Sequence, residues 1–331
     1  MNSASRAAEV GAPPTSGRVD GAHPEGVIRL LGPQRTAPSV GDDLQALAPD
    51  GPVAIITAGW GDRERDGAEL DALLGGRSVN LHLYHRQLDA LARDPDLAAA
   101  ERSLQEQLAE IREVYRLRLR HAIAAVTGVQ RLAARDRGSA EDLEDTIDAV
   151  RGLDARHLTR IIETRAELDA AWLEREIVAE HRAEVMDLVA PAAAVAIAGG
   201  RVDLLLDGLR RLGVDAALGD RPVVAWSAGA MALTERVVLF HDRSPQGETP
   251  AEVHDRGLGR CPRVVVLPHA RDRLALQDRD RSIRLARRFA PARCVLLDVG
   301  ARLEDARTGP QQFHGASVLD PADGTVEVVT P

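Results

Sequence analysis

The sequence predicts an α/β fold, a three-layer arrangement around a mostly parallel sheet, with a long α-helical insertion. Apolar runs at residues 53–57, 193–198 and 222–226 alternate with amphipathic stretches, and a run that is apolar on both faces is typical of a buried parallel strand. By contrast, residues 84–188 contain no clear strand and carry Leu, Ile and Val near helical spacing. Strands that alternate with helices predict a sheet covered on both faces.

The composition fits a globular protein with one large domain or two. Of the 331 residues, 44% are hydrophobic, 28% are charged and only 2% are aromatic, so the core must be built from Ala, Val, Leu and Ile. The net charge of −9 argues against nucleic acid as the main partner. No uncharged apolar run is as long as a membrane span, so we expect no membrane partner.

Two cysteines, Cys261 and Cys294, lie in neither a CxxC pair nor a Cys/His ligand spacing. A disulfide framework is therefore not expected, and a reducing cytoplasm is the simplest location. Residues 1–25 are rich in Ala, Gly, Pro and Ser and lack the apolar stretch of a secretion signal, which predicts a disordered tail.

The remaining residues divide into three segments. Residues 26–83 are the first part of the α/β core, 84–190 are the helical lobe, and 191–331 are the second part of the core. Strands are expected at 27–31, 53–57, 79–83, 193–198, 222–226, 237–240, 264–267 and 295–297. Helices are expected at 62–74, 202–212 and 281–289, and a hairpin with an Asp-Gly turn joins 313–319 to 325–329.

The helical lobe is longer than a crossover between two strands requires, because such a helix needs only about a dozen residues. Arg137-Gly138 interrupts its apolar pattern, and Ser139-x-x-Asp142 resembles a capping box that begins a second long helix. We therefore expect two or more long antiparallel helices. Their apolar positions must be buried on each other, over a cleft or on a second copy of the chain, so a homodimer is one expected assembly.

The sharpest signal for chemistry is Ser227, where the apolar run 222–226 ends and small residues follow at once. A nucleophile elbow needs this pattern, because its serine sits in a strained turn that only Ala or Gly can accompany. The next helix N-terminus presents free N–H groups to a developing oxyanion. Ala225 stands where the common motif has Gly. The alternative is an ordinary serine N-cap after a strand.

Two further signals stand at predicted strand ends. His269 follows the run 264–267, at the end of the sheet where open α/β folds place ligands, and it would exchange a proton with Ser227. Gly199-Gly200 follows the run 193–198, and paired glycines let the backbone approach a ligand and donate N–H groups. The alternatives are a surface histidine and a plain strand-to-helix turn.

Together, in this order, the motifs resemble the serine peptidases that include aspartyl dipeptidase and cyanophycinase. The resemblance rests on Ala-Gly-Gly at 198–200, Trp-Ser-Ala-Gly-Ala at 226–230 and Leu-Pro-His at 267–269. It covers about residues 27–83 and 190–331 and leaves the helical lobe outside. It implies a fold similar to class I glutamine amidotransferases, with serine in place of cysteine.

The resemblance implies a serine-dependent peptidase or amidase that acts through an acyl-enzyme on a small peptide or amide, with no cofactor and no metal. The family's nucleophile falls on Ser227 and its base on His269. Its oxyanion donors fall on the amides of Gly200 and Ala228. An amidotransferase would instead need cysteine at position 227.

The acid of the family's triad falls on Asp242, and Asp298 is the alternative. Val299 stands where many members have Glu. The residues expected to contact substrate are Gly199, Arg201, Trp226 and Arg271. Two of them depart from the family, since Arg201 replaces a common Asn and Trp226 replaces a smaller residue. The incomplete acid pattern keeps a second hypothesis open, a non-catalytic binding or scaffold protein that uses the helical lobe for assembly.

Overall fold

The computed structural model describes residues 26–135, 139–242, 249–306 and 309–329. The predicted tail at 1–25 and the predicted break at Arg137-Gly138 lie outside these residues. The strands are β1 (Ile28–Leu31), β2 (Val53–Ile56), β3 (Ser78–Asn80), β4 (Ala194–Ile197), β5 (Val223–Trp226), β6 (Arg236–Leu239), β7 (Glu252–Arg256), β8 (Val264–Pro268), β9 (Arg293–Leu297), β10 (Arg302–Asp305), β11 (Gln312–His314), β12 (Ser317–Leu319) and β13 (Val326–Val328). The α-helices are α1 (Val40–Leu47), α2 (Ala68–Leu73), α3 (Leu83–Arg93), α4 (Pro95–Ala133), α5 (Ala140–Leu173), α6 (Glu176–Val189), α7 (Val202–Arg211), α8 (Val214–Leu218), α9 (Ala228–Leu233), α10 (Ala270–Arg273) and α11 (Arg279–Phe289).

The main sheet has seven strands in the order β11-β10-β1-β5-β4-β2-β3. The strands from β1 to β3 in this order pair in parallel, and β10 and β11 add antiparallel strands beside β1. Because β2, β4 and β5 lie inside the sheet with helices around them, every one of their residues is buried. The predicted mixed α/β architecture with parallel strands is confirmed.

The strands do not all join one sheet, which corrects the expectation of a single mostly parallel sheet. The strands β8 and β9 pair in parallel in a second sheet of order β13-β12-β9-β8, and β6 pairs with β7 in a third. The strand β1 is paired on its outer side with β10, in a register that places Arg29 opposite Glu304. Their side chains form a 2.7 Å ion pair across the strands.

Helices occupy the described residues of the lobe, as the apolar spacing predicted. The Ser139 hydroxyl accepts the Asp142 N–H at 3.0 Å and the Asp142 carboxylate accepts the Ser139 N–H at 2.8 Å, so the predicted capping box begins α5. At the start of the lobe the structure differs from the prediction: the predicted strand 79–83 ends at Asn80, and α3 begins at Leu83.

The lobe spans both large sheets. The first half of α4 and the second half of α5 bury Leu104, Leu108 and Ile161 in the same apolar cluster as β4 and β5. The opposite halves of the two helices bury Leu119 and Ile147 with β8, β9 and α11. The extra apolar positions of the insertion are therefore covered by the helices themselves and by the two sheets.

Buried charges also join the lobe to the core. Arg288 of α11 and Asp154 of α5 are both about 5% exposed or less, and two guanidinium nitrogens of Arg288 contact the carboxylate at 2.6 Å. Tyr115 of α4 donates to the same carboxylate at 2.8 Å. Near the main sheet, Arg165 lies 2.7 Å from Asp207. Each charge has a partner of opposite sign, which buried ions require.

Candidate active site

Ser227 occupies a sharp turn between β5 and α9. Its backbone has φ 51° and ψ −118°, a conformation that residues other than glycine rarely adopt. Ser227 and α9 both lie in the described residues, and the Ser227 hydroxyl accepts no hydrogen bond from the first turn of the helix. The structure therefore does not support the plain N-cap alternative. The conformation is that of a strand-to-helix elbow that presents the hydroxyl at the end of the strand.

Glycines allow the strand ends to meet around this turn. A Cβ added at Gly199 would lie 2.8 Å from the Cβ of Ser227, and one added at Gly229 would lie 2.9 Å from the carbonyl oxygen of Ala198 and closer still to that of Ile197. Gly200 has a φ of 119° and approaches Gly59 in the turn after β2. These approaches leave no room for a side chain at the three glycines, so the ends of β2, β4 and β5 lie close together.

Two amides at the turn are available to a ligand. Among the described residues, neither the Gly200 N–H nor the Ala228 N–H donates to a protein acceptor. The Ser227 N–H, by contrast, donates to the carbonyl of Leu31 at 3.3 Å, which ties the elbow to the end of β1. Free N–H groups beside a serine hydroxyl can stabilise negative charge that develops on a substrate oxygen.

His269 directly follows β8 and also has a left-handed backbone, with φ 58° and ψ 36°. Its N–H donates to the carbonyl of Leu297 on β9 at 3.3 Å. Burial and the positive charge of Arg273 lower the pKa of the imidazole below its ordinary 6.5, against the opposing effect of Asp272 and Asp298. The ring is therefore mostly neutral at pH 7 and can accept a proton.

Although Ser227 and His269 end strands of different sheets, backbone contacts link the two ends. A Cβ added at Gly32, the residue after β1, would collide with the carbonyl oxygen of Asp298, the residue after β9. The helix α9 also packs against β8. In the described residues no hydrogen bond joins the Ser227 hydroxyl to the His269 imidazole. In the sequence, Gly32 begins the turn after the predicted strand 27–31, but nothing in the sequence shows its contact with Asp298.

The two candidate acids have different partners. The Asp242 N–H donates to the carbonyl of Arg273 at 2.8 Å, which places Asp242 beside the helix that follows His269. Its carboxylate, however, accepts Arg281 Nε at 2.8 Å and the Ala275 N–H at 3.1 Å and makes no hydrogen bond to His269 among the described residues. The Asp298 carboxylate accepts the Arg271 N–H at 3.0 Å and lies close enough to His269 to affect its pKa.

The residues expected to contact substrate lie in different environments. The Arg201 side chain is 68% exposed and pairs with Asp203 at 2.6 Å, and the Arg271 side chain is 79% exposed. Trp226 is only 8% exposed and packs in an apolar cluster beneath the main sheet. The structure thus gives Trp226 a packing role, while the two arginines can reach solvent and a ligand.

Glu64 is a second buried carboxylate at this end of the sheet. Its side chain is fully buried, accepts the N–H groups of Tyr84 and His85 at 3.0 and 2.9 Å, and lies 2.8 Å from His85 Nδ1. It therefore supplies acceptors to the start of α3. Glu64 follows β2 in the chain, and nothing in the sequence shows this role. Among the described residues, no group of three or more His, Cys, Asp or Glu side chains could hold a metal ion.

Comparisons with known proteins add little. The sequence matches no protein-family model and no curated protein. Among solved structures, a peptidase from an acI-B1 Actinobacterium is 15% identical, covers 92% of this chain and 94% of its own, and has a TM-score of 0.38. A TM-score this low establishes neither a shared fold nor a shared activity. In the described residues, no helix is both long enough and apolar enough to cross a bilayer.

Proposed function

We propose that the chain is a serine-dependent hydrolase, a peptidase or amidase, that forms an acyl-enzyme on Ser227. The observation that carries the proposal is the backbone of Ser227, with φ 51° and ψ −118°. A non-glycine residue in such a region costs about 1–3 kcal/mol and persists where its surroundings impose it, often at functional sites. A serine that served only as a helix cap would gain nothing from this strain, because its hydroxyl makes no cap hydrogen bond.

In the proposed reaction, Ser227 Oγ attacks the carbonyl carbon of an amide while His269 accepts the hydroxyl proton. The N–H groups of Gly200 and Ala228 stabilise the oxyanion, since both amides lack a protein acceptor in the described residues. The intermediate then releases an amine, which takes the proton from His269, and water hydrolyses the ester by the same steps. The His269 ring must reach Ser227 in the substrate complex, where catalytic hydrogen bonds often tighten.

In this reaction Ser227 and His269 are the reacting pair, and the two nearby acids, Asp298 and Asp242, act on it differently. Asp298 favours the protonated imidazole through its charge. Asp242 would need to leave Arg281 before it could contact His269. We therefore expect Asp298→Asn to slow the reaction more than Asp242→Asn, once each rate is corrected for the fraction of folded protein.

A second candidate function is a non-catalytic binding or scaffold protein. One observation favours it: the Asp242 carboxylate, the family's expected acid, is bound by Arg281. On this hypothesis the turn at Ser227 is a retained structural feature.

Reaction with a fluorophosphonate probe, followed by mapping of the adduct, separates the two functions. The hydrolase predicts one adduct on Ser227, no labelling of Ser227→Ala and at least ten-fold slower labelling of His269→Gln. Ser103→Ala and His121→Gln, which change exposed residues of α4, are the matched controls. A folded wild-type protein that does not react, or that reacts equally in Ser227→Ala, would refute the hydrolase and leave the scaffold function.

A further inference from the structure

A cavity of about 480 Å³ lies between α4 of the helical lobe and the elements around the second sheet. One wall is α4. The other wall comes from residues 249–251, residues 274–276 and α11. Neither Ser227 nor His269 is among the residues that line it, although Asp242, the expected acid of the triad, is; the cavity is therefore separate from the reacting pair. Its size lies within the range of pockets that hold small molecules, roughly 300–1,000 Å³.

The wall on α4 is one face of the helix. Its residues follow each other at helical spacing, and two arginines stand about 16 Å apart at its ends, since 11 residues rise about 1.5 Å each. Between the arginines the lining is small or apolar. In chain order the face consists of Arg120, Ile123, Ala124, Thr127, Gly128 and Arg131. The opposite wall adds Leu274, Leu276 and Leu285, so the middle of the cavity is hydrophobic.

The charged lining is mostly positive. It contains five arginines and two aspartates: Arg120, Arg131, Arg281, Arg284, Arg288, Asp242 and Asp278. Two of these arginines are neutralised within the protein, because Arg281 pairs with Asp242 and Arg288 pairs with Asp154. Asp278 caps α11 by accepting the Arg281 N–H at 3.0 Å.

Two arginines of the lining, Arg131 and Arg284, lie close enough for the charge of one to act on the other. Arg131 makes no hydrogen bond or ion pair with any described residue, and Arg284 donates to the neutral side chain of Gln130 at 2.7 Å. Burial lowers the pKa of Arg284, and so do the positive charges of Arg281 and Arg131, whereas Asp278 and Asp280 raise it. The Asp280 carboxylate also accepts Gln130 Nε2 at 3.1 Å. An anion between the two guanidinium groups would relieve their mutual repulsion.

We propose that this cavity is a second ligand site, which binds a small organic anion with an apolar chain. The carboxylate or phosphate head group binds Arg131 and Arg284, because a guanidinium group matches the paired oxygens of both. The apolar chain lies along Ala124 and Gly128 towards Arg120. The site does not depend on the function proposed for Ser227.

Calorimetric titration of the full chain with octanoate, octyl phosphate, inorganic phosphate and 1-octanol tests both halves of the ligand. We expect octanoate or octyl phosphate to bind at least ten-fold more tightly than inorganic phosphate and 1-octanol. The tighter of the first two identifies the head group. Ser227→Ala should bind the same probes unchanged, so the result stands apart from the test of the hydrolase.

Three variants place the binding in this cavity. Arg131→Gln should weaken binding of the octyl anion about ten-fold, since it removes a charge-assisted hydrogen bond without breaking a contact of the described structure. Arg118→Gln, an exposed arginine of α4 outside the lining, is its control. Gly128→Leu should abolish binding without loss of stability, because a Cβ at Gly128 meets nothing within 4 Å and leucine favours the helix.

Several results would overturn the proposal. Equal binding of 1-octanol and octanoate would show that the cavity does not recognise the anionic head group. Equal binding of inorganic phosphate and octyl phosphate would show that it does not recognise the apolar chain. The absence of binding by either octyl anion would reject the site altogether. Unchanged binding in both Arg131→Gln and Gly128→Leu would place the ligand elsewhere.

Discussion

Two regions of the molecule are held together by different interactions. One is the carboxyl end of the main sheet at Ser227, and the other is the junction between the helical lobe and the second sheet. At Ser227, strand ends meet through glycine backbone, with no space for an added carbon atom at Gly199 or Gly229. At the junction, large buried side chains meet, and Arg288 and Asp154 neutralise each other away from water. We therefore expect an added atom to destabilise the region at Ser227, and the loss of a charge to destabilise the junction.

The largest effect is expected at the junction. Asp154→Ala leaves the buried Arg288 without its counter-ion and should lower the free energy of unfolding by about 3–5 kcal/mol, measured by urea denaturation. Asp148→Ala, which removes a 60% exposed carboxylate from the same helix, should cost under about 1 kcal/mol. The double variant Asp154→Leu/Arg288→Met should recover most of the loss. A loss below about 1 kcal/mol in Asp154→Ala would show that the buried pair does not hold the junction.

The next largest effect is expected at the end of the main sheet beside Ser227. Gly229→Ala places a methyl group against the carbonyl oxygens of Ile197 and Ala198, so it should destabilise the protein by about 1–3 kcal/mol and slow fluorophosphonate labelling. Gly128→Ala, in a helix with open space beside it, should instead stabilise by about 0.5–1 kcal/mol. Equal stability of both variants in thermal or urea unfolding would mean that the close approach at Gly229 is not a constraint.

A smaller effect is expected at the far end of the lobe, where neither kind of contact acts. Ser139→Ala removes one half of the capping box of α5 and should cost about 1 kcal/mol. Ser103→Ala, in the third turn of α4, should change the free energy of unfolding by much less. If the two variants unfold at the same urea concentration, the cap contributes nothing measurable to α5.

The smallest expected effect is a shift in the pH dependence of fluorophosphonate labelling. The positive charge of Arg273 helps to lower the pKa of His269, and a general base must be neutral, so labelling should rise with pH to a plateau with a midpoint below 6.5. Arg273→Gln raises that pKa and should move the midpoint to higher pH. Arg118→Gln, which changes an exposed arginine of α4, should not move it. A pH profile that is the same in Arg273→Gln and in the wild type would remove His269 from the reaction.

Strands buried on both faces, such as β2, β4 and β5, could be predicted because continuous apolar runs have few other uses in a protein core. The turn at Ser227 could be predicted because only small residues fit beside it. The strands β7 and β10 were missed, since Glu-Val-His-Asp-Arg and Arg-Leu-Glu-Asp each contain a single apolar residue among polar and charged ones. Their charges are paired by distant residues, as Glu304 is by Arg29 and Asp255 is by Arg165.

The sequence by itself determined several local conformations: which apolar runs are strands, where α5 begins, and where a strand stops at a serine. These depend on neighbours within a few residues, whose propensities and sizes are written in the chain. The tertiary structure alone decided that β8 and β9 leave the main sheet, that the helical lobe bridges two sheets, and that the Asp242 carboxylate binds Arg281 instead of His269. The physical reason is that sheet order and charge pairing depend on residues far apart in sequence. They are decided by which groups the folded chain brings into contact, and a local sequence pattern does not contain that information.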